Sequence, residues 1–206
     1  MINIQYLPNI LGYLNKPVNY VYVDVGANNY QSSIRAWFQP HYHKQTDKFE
    51  IFSIEADGLV GVDYLNHPYV KKISYAAWIK NEILTLSLNL VGGGQTQPKT
   101  VYSLILPKLS RVRGLDFADW LMKTLTEEDY VVVRTDVGGV EFQLLPKIIN
   151  TSTIFLIDEL FLECHYESPH KNNRRAYWEF LSLYGMLREE GVKTHQWWGV
   201  IRFGPI

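Results

Sequence analysis

The sequence predicts an α/β protein: a doubly wound, mainly parallel sheet with a C-terminal antiparallel hairpin. Three observations carry the prediction. Short β-branched and aromatic runs alternate with helix-like stretches, the pattern of strands joined by crossover helices. Three of those runs stop at an acid, Asp24, Glu55 and Asp136, and strand ends are where such sheets collect ligand-binding side chains. The last two runs, residues 192–198 and 200–203, lie almost back to back. No crossover helix fits between them, so they must pair antiparallel.

Taken in order, residues 1–17 form an opening segment with a short helix near 7–14, closed by Pro17. The first strand covers 19–25, where β-branched and aromatic side chains dominate. Residues 31–38 read as a helix with Ser32 and Ser33 in its first turn, and Pro40 ends it. A polar loop over 41–48 leads to a second strand at 49–55. Residues 58–66 fit a short helix before Pro68, 69–76 a third strand, and 83–88 alternate like a fourth, half-exposed strand. Gly92-Gly93-Gly94 and residues 95–98 lack the Gly-Lys-Ser/Thr of a phosphate loop. They read as a mobile surface loop able to act as a lid. A short helix at 116–123 has an acid at its start, and 129–136 is a buried strand. Residues 138–149 form a helix with Val140, Leu144, Leu145 and Ile148 on one face. Residues 153–165 read as a long apolar strand carrying acids, and 174–190 as an amphipathic helix stopped by Gly191. With no internal repeat, residues 1–206 read as one domain.

Composition narrows the function classes. The net charge of −1 argues against a basic groove tracking a phosphate backbone, a local patch aside, so nucleic acid is not an expected partner. The single cysteine, Cys164, builds neither a disulfide framework nor a zinc-thiolate site. No apolar run reaches ~18 residues and the start lacks a signal-peptide pattern, so the expectation is a cytoplasmic protein without a membrane partner.

The most informative stretch runs from Val18 to Tyr30, through Val23-Asp24-Val25-Gly26-Ala27-Asn28. It places a carboxylate at a strand end, bare backbone at Gly26, and the unpaired N–H groups of a helix start in one spot. It is not the full G-x-G-x-x-G fingerprint, whose second glycine lets backbone approach a pyrophosphate. A ligand without a pyrophosphate needs no such glycine, and S-adenosylmethionine (SAM) is one. A doubly wound sheet ending in an antiparallel hairpin is also the pattern of class I SAM-dependent methyltransferases. Glu55 lies where a second-strand acid accepts both hydroxyls of an adenosine ribose; the alternative is a solvated strand end. Asp24 either touches the ligand or orients the turn. Ala76-Ala77-Trp78 leaves space for an adenine, with Trp78 stacked on it or packed in the core. The candidate cofactor contacts are Asp24, Gly26, Ala27, Asn28, Ser33, Glu55, Ala56, Ala77 and Trp78. A dinucleotide or nucleotide-sugar enzyme using the same edge is the competing class.

Val23-Asp24-Val25-Gly26-Ala27-Asn28, Ile54-Glu55-Ala56-Asp57 and Thr135-Asp136-Val137-Gly138-Gly139-Val140-Glu141 together resemble the FkbM-type methyltransferase family. That family carries an Asp-x-Gly-Ala-Asn strand end, a second-strand Glu and a later Asp-x-Glu-Gly-x-Glu. The chain is also similar to a plant family of uncharacterised, methyltransferase-like proteins. This likeness runs through Asn29-Tyr30-Gln31-Ser32-Ser33-Ile34, Tyr75-Ala76-Ala77-Trp78, the stretches 116–121 and 158–166, and His195-Gln196-Trp197-Trp198. The resemblance implies a Rossmann-like, SAM-binding fold and O-methylation of a hydroxyl on a small molecule or sugar. One departure stands out: Gly138 replaces the first Glu of Asp-x-Glu-Gly, whereas Arg134, in place of a frequent Lys, keeps the charge. The departure raises the alternative of a SAM-binding or scaffold protein that kept the fold and lost the transfer.

Residues 158–165 hold the other dense constellation. In a strand, Glu159, Glu163 and His165 share one face. Asp136 at one strand end and Glu163 with His165 at the next offer a divalent cation a site like the magnesium site of catechol-type O-methyltransferases, although no metal is the favoured reading. Without a metal, His165 serves as the base for the hydroxyl proton. The structural alternative pairs these acids with Arg174, Arg175 or His195. The candidate catalytic residues are Asp136, Glu163 and His165.

Overall fold

The computed structural model describes residues 19–56, 60–88, 108–163 and 174–196. Strands β1 (Tyr20–Val25), β2 (Phe49–Ile54), β3 (Val70–Ile73), β7 (Tyr130–Thr135), β8 (Glu159–Leu162) and β9 (Lys193–Gln196) form one sheet in the order β3-β2-β1-β7-β8-β9. Every pairing within it is parallel. The order reverses between β1 and β7, so a crevice opens outside the carboxyl ends of those two strands.

The central strands are buried on both faces, as parallel strands under crossover helices must be. Along β1, Val21, Val23 and Val25 face one side, and Tyr22 and Asp24 the other. The valine side continues through Val131, Val133, Leu160 and Leu162. It packs against α2 (Phe117–Thr124), α3 (Glu141–Asn150) and α4 (Arg174–Glu189) through Leu121, Leu144 and Leu187. The opposite side joins Tyr22, Ile51, Val132 and Phe161 to α1 (residues 31–41). Helix α1 is wound as a π-helix over Gln31–Phe38 and closes in an α turn over Gln39–His41. Its Ile34 and Phe38 are fully buried, and each such side chain contributes roughly 1.5–3 kcal/mol. Tyr22 stacks on Phe38 with ring centroids 4.1 Å apart. Pro40 does not stop the helix. It sits in the first turn of the closing α segment, where no N–H is required.

Several expectations are corrected. Residues 69–76 are not one strand. A turn from the Tyr75 amide to the Ile73 carbonyl (3.0 Å) separates β3 from β4 (Ala76–Trp78). Strand β4 belongs to a second sheet, β4-β6-β5, with β5 (Glu82–Leu88) and β6 (Lys108–Asp116). Strand β6 has no counterpart in the sequence reading. Its arginines Arg111 and Arg113 alternate with Val112 and are exposed, so the run carries little apolar signal. The expected long strand over 153–165 resolves into a 3-10 turn at Thr153–Leu156, entered through Ser152 at φ +59°, and the short β8. A continuous apolar run cannot separate these by periodicity.

The expected helix at 138–149 starts later, at Glu141, because Gly138 and Gly139 take positive φ. Strand β9 pairs parallel with β8, and its proposed hairpin partner at 200–203 lies outside the described residues. So do the opening segment 1–17, the Gly92–Gly94 loop, Cys164, His165, Trp197 and Trp198. Among the described residues no helix is long and apolar enough to cross a membrane.

Candidate functional site

The turn after β1 is built around Gly26. Its φ is +79°, and its amide donates to the Ile54 carbonyl at 2.9 Å. A Cβ there would lie 2.0 Å from the Asp136 carbonyl oxygen. Both the dihedral and the close approach of β7 therefore require glycine. The glycine lets the end of β7 close against the turn, and the Asp136 amide completes the contact by donating to the Val25 carbonyl at 2.9 Å.

The amides beyond Gly26 are engaged by side chains. The Asn28 amide, in a residue at φ +50°, donates to Glu55 Oε2 at 2.9 Å. The Tyr30 amide donates to Asp63 Oδ2 at 2.8 Å, and the Ser32 amide to Asn29 Oδ1 at 2.9 Å. The start of α1, an electropositive end, is thus lined with the chain's own acceptors. The Ala27 carbonyl accepts from the Tyr64 hydroxyl at 3.3 Å, which ties the turn to the Val60–Asn66 segment.

Beneath the turn lies a buried ion pair. Asp24, Ser53 and Arg134 stand in register across β1, β2 and β7. Arg134 Nη1 donates to Asp24 Oδ1 at 2.9 Å and to Ser33 Oγ at 3.3 Å. Its guanidinium carbon sits 5.5 Å from the Trp37 ring centre. Its other terminal nitrogen, Nη2, is 3.6 Å from Asp136 Oδ2. Asp24 is fully buried, whereas the Asp136 side chain is 27% exposed. Burial pushes the Asp24 carboxyl up to about 6, against the pull of Arg134. Arg134 is itself held protonated: burial opposes its charge, and the Asp24 carboxylate restores it.

The loop between β7 and α3 is clamped from inside. Glu141, 1% exposed, accepts from the Val137 amide at 2.9 Å and from the Gly139 amide at 2.7 Å. Gly138 (φ +63°) and Gly139 (φ +101°) present faces where an added Cβ meets no described atom within 4 Å. One strand further along, the Glu163 amide donates to the Thr135 carbonyl at 3.1 Å, so Glu163 ends β8 beside Asp136.

Among the predicted residues, Gly26, Ala27, Asn28, Glu55, Asp136 and Glu163 lie at neighbouring strand ends on this edge. Ala56 follows Glu55 directly and is partly exposed. Asp24 and Ser33 sit one layer deeper on Arg134. Ala77 is buried in the core of the α2 face, and Trp78 Nε1 donates to Glu82 Oε1 at 2.6 Å within the second sheet. Glu159 does not join Glu163. It points into the α1-side core and accepts from Tyr42 (3.0 Å), Tyr130 (3.3 Å) and the His195 ring (2.7 Å). Among the described residues no group of acids, histidines and cysteines is arranged to hold a metal.

Sequence reasoning did not find the roles of Arg134, Asp63 and Glu141. For Glu141 a signal existed: an acid two residues after a glycine pair at a helix start is placed to cap backbone amides.

A model of the family described as Domain of unknown function (DUF7870) matches residues 1–87 and 99–198. No curated protein and no solved structure matches the chain.

Proposed function

The chain belongs to the DUF7870 family, and within it we propose a SAM-dependent methyltransferase acting on a hydroxyl of a small molecule or sugar. One observation carries the reading, the set of acceptors at the point where the strand order reverses. Glu55, Asp136 and Glu163 directly follow β2, β7 and β8, and Asp63 accepts from the Tyr30 amide just before α1. A phosphate-bearing ligand needs N–H donors there and meets carboxylates instead. A ligand with vicinal hydroxyls, an ammonium and a sulfonium cation meets acceptors. SAM has all three features, whereas a dinucleotide or sugar nucleotide brings a pyrophosphate. The strand order, reversing beside the first strand, supports a Rossmann-like methyltransferase fold as part of this proposal.

In this reading Glu55, steadied by the Asn28 amide, accepts from the ribose hydroxyls. The Gly26 turn supplies the floor beside them. SAM, when bound, supplies a methyl group for in-line transfer. The chain's contribution is to position the two reactants and to take the acceptor's proton. Asp136 and His165 are the candidates for that last role.

A second reading, SAM binding without transfer, is favoured by Gly138. It stands where the resembling family carries Glu, and its open, left-handed backbone brings no side chain to the edge. Calorimetry with SAM and S-adenosylhomocysteine, beside NAD as the phosphate-bearing control, tests the common premise. Heat with the first two and none with NAD is expected. A folded protein that gives heat with neither SAM nor S-adenosylhomocysteine defeats both readings. Transfer of labelled methyl into extracts of hydroxylated compounds supports the first reading; binding without incorporation supports the second.

A further inference from the structure

We propose that Arg134 is a positioning residue for this edge, a buried guanidinium that carries the geometry of the core to the Asp136 carboxylate. The inference rests on the SAM reading of the site. Arg134 and Asp136 are two residues apart, so both side chains leave the chain on the same side. The Arg134 side chain is 7% exposed and sits over the Trp37 ring, with Nη1 committed to Asp24 and Ser33. A guanidinium is rigid and planar. Fixing Nη1 therefore restricts where Nη2 can lie, and Nη2 lies 3.6 Å from Asp136 Oδ2, at ion-pair distance.

The charges explain why the arrangement suits a cation. Asp24 and Arg134 balance one another in the core. Asp136 is a second carboxylate on the same guanidinium, so the ionised trio carries a net charge of −1. Asp136 is the partly exposed member of the trio and lies at the strand-end edge. A lysine at position 134 keeps the charge but not the fork. Its ammonium is a single point, able to serve Asp24 or Asp136 but not to span both. The competing explanation is that Arg134 only rivets α1 to the sheet through Ser33 and Trp37.

Three measurements separate these roles: thermal unfolding, calorimetric titration with SAM, and NMR of the arginine guanidinium on wild type, Arg134→Lys and Asp136→Asn. The positioning role expects Arg134→Lys to stay folded and to bind SAM ~10-fold or more weakly, as misplacement of a binding group does. It also expects Asp136→Asn to speed rotation of the Arg134 guanidinium. Loss of stability with unchanged SAM affinity in Arg134→Lys overturns the proposal. If Arg134→Lys does not fold, the Asp136→Asn spectrum decides: faster rotation supports the link, and unchanged rotation overturns it. If wild type binds no SAM, the functional reading falls, and the same spectrum still decides whether Arg134 holds Asp136.

Discussion

Asp24 and Glu159 are both fully buried carboxylates on the α1 side of the same sheet, yet their surroundings differ in kind. Glu159 is closed: Tyr42 and Tyr130 donate to Oε2 and His195 meets Oε1. The His195 ring also stacks on Phe161 with centroids 4.5 Å apart. Asp24 is open. Its Oδ1 holds Arg134, while Oδ2, beside the Tyr22 hydroxyl, has no hydrogen-bond partner among the described residues. Its cation leads outward to Asp136. A buried charge whose acceptors are all met locks elements together and stops there. One that shares its counter-charge with a partly exposed group links the core to the strand-end edge.

The sharpest way to break this contrast is at Glu159. Glu159→Leu leaves two tyrosine hydroxyls and the His195 ring without their buried acceptor, and we expect a loss of about 3–5 kcal/mol in urea unfolding. A loss below about 1 kcal/mol would mean that the closed network is not what joins α1, β7, β8 and β9.

Next in size is Gly26→Ala. The new Cβ would lie 2.0 Å from the Asp136 carbonyl at a backbone φ of +79°. Strain and overpacking together predict about 3 kcal/mol of destabilisation, read as a lowered denaturation midpoint. Unchanged stability would show that the β1 and β7 ends are free to separate.

The third prediction concerns pH. In the fold, burial lifts the Asp24 carboxyl from its ordinary 3.8 to about 6. The protonated form is therefore favoured by folding. Its contribution is complete below about 3.8 and is lost as pH rises through about 6, a swing of roughly 2–3 kcal/mol. The difference in unfolding free energy between wild type and Asp24→Asn should fall across that interval. A difference that rises instead would mean that the pull of Arg134 outweighs burial.

The smallest expected effect is at Glu55. Glu55→Gln keeps an oxygen for the Asn28 amide, so stability should change by less than about 1 kcal/mol. On the proposed SAM reading, in which Glu55 accepts from two ribose hydroxyls, SAM affinity should fall ~10-fold. Equal losses in both would make Glu55 a turn staple and nothing more.

Much of the main sheet was legible because its strands are short, apolar and buried on both sides. Runs such as Val131-Val132-Val133 have few other places to go. The second sheet was not legible. Arg111 and Arg113 punctuate β6, and Ala76-Ala77-Trp78 reads as the tail of β3 until the turn at Tyr75 is seen. At the edge, the positions of Gly26, Glu55 and Asp136 followed from strand ends. The sequence did not reveal that Asp63 and Glu55 accept from the amides around the start of α1. Those pairings join residues 33 and 27 positions apart.

By itself the sequence determined the alternation of strands and helices, the glycine turn after β1 and the acids that follow β2 and β7; Asp24, expected at the end of β1, lies inside that strand and is fully buried. These are local properties: side-chain branching, periodicity and the dihedral freedom of one residue. Only the tertiary structure decided that Arg134 crosses to Asp24 110 positions earlier, that Glu159 closes on Tyr42 and His195, and that β4 leaves the main sheet. A buried charge must find a partner wherever the fold brings one within reach. The identity of that partner depends on register and packing between strands far apart in the chain, which no local pattern encodes.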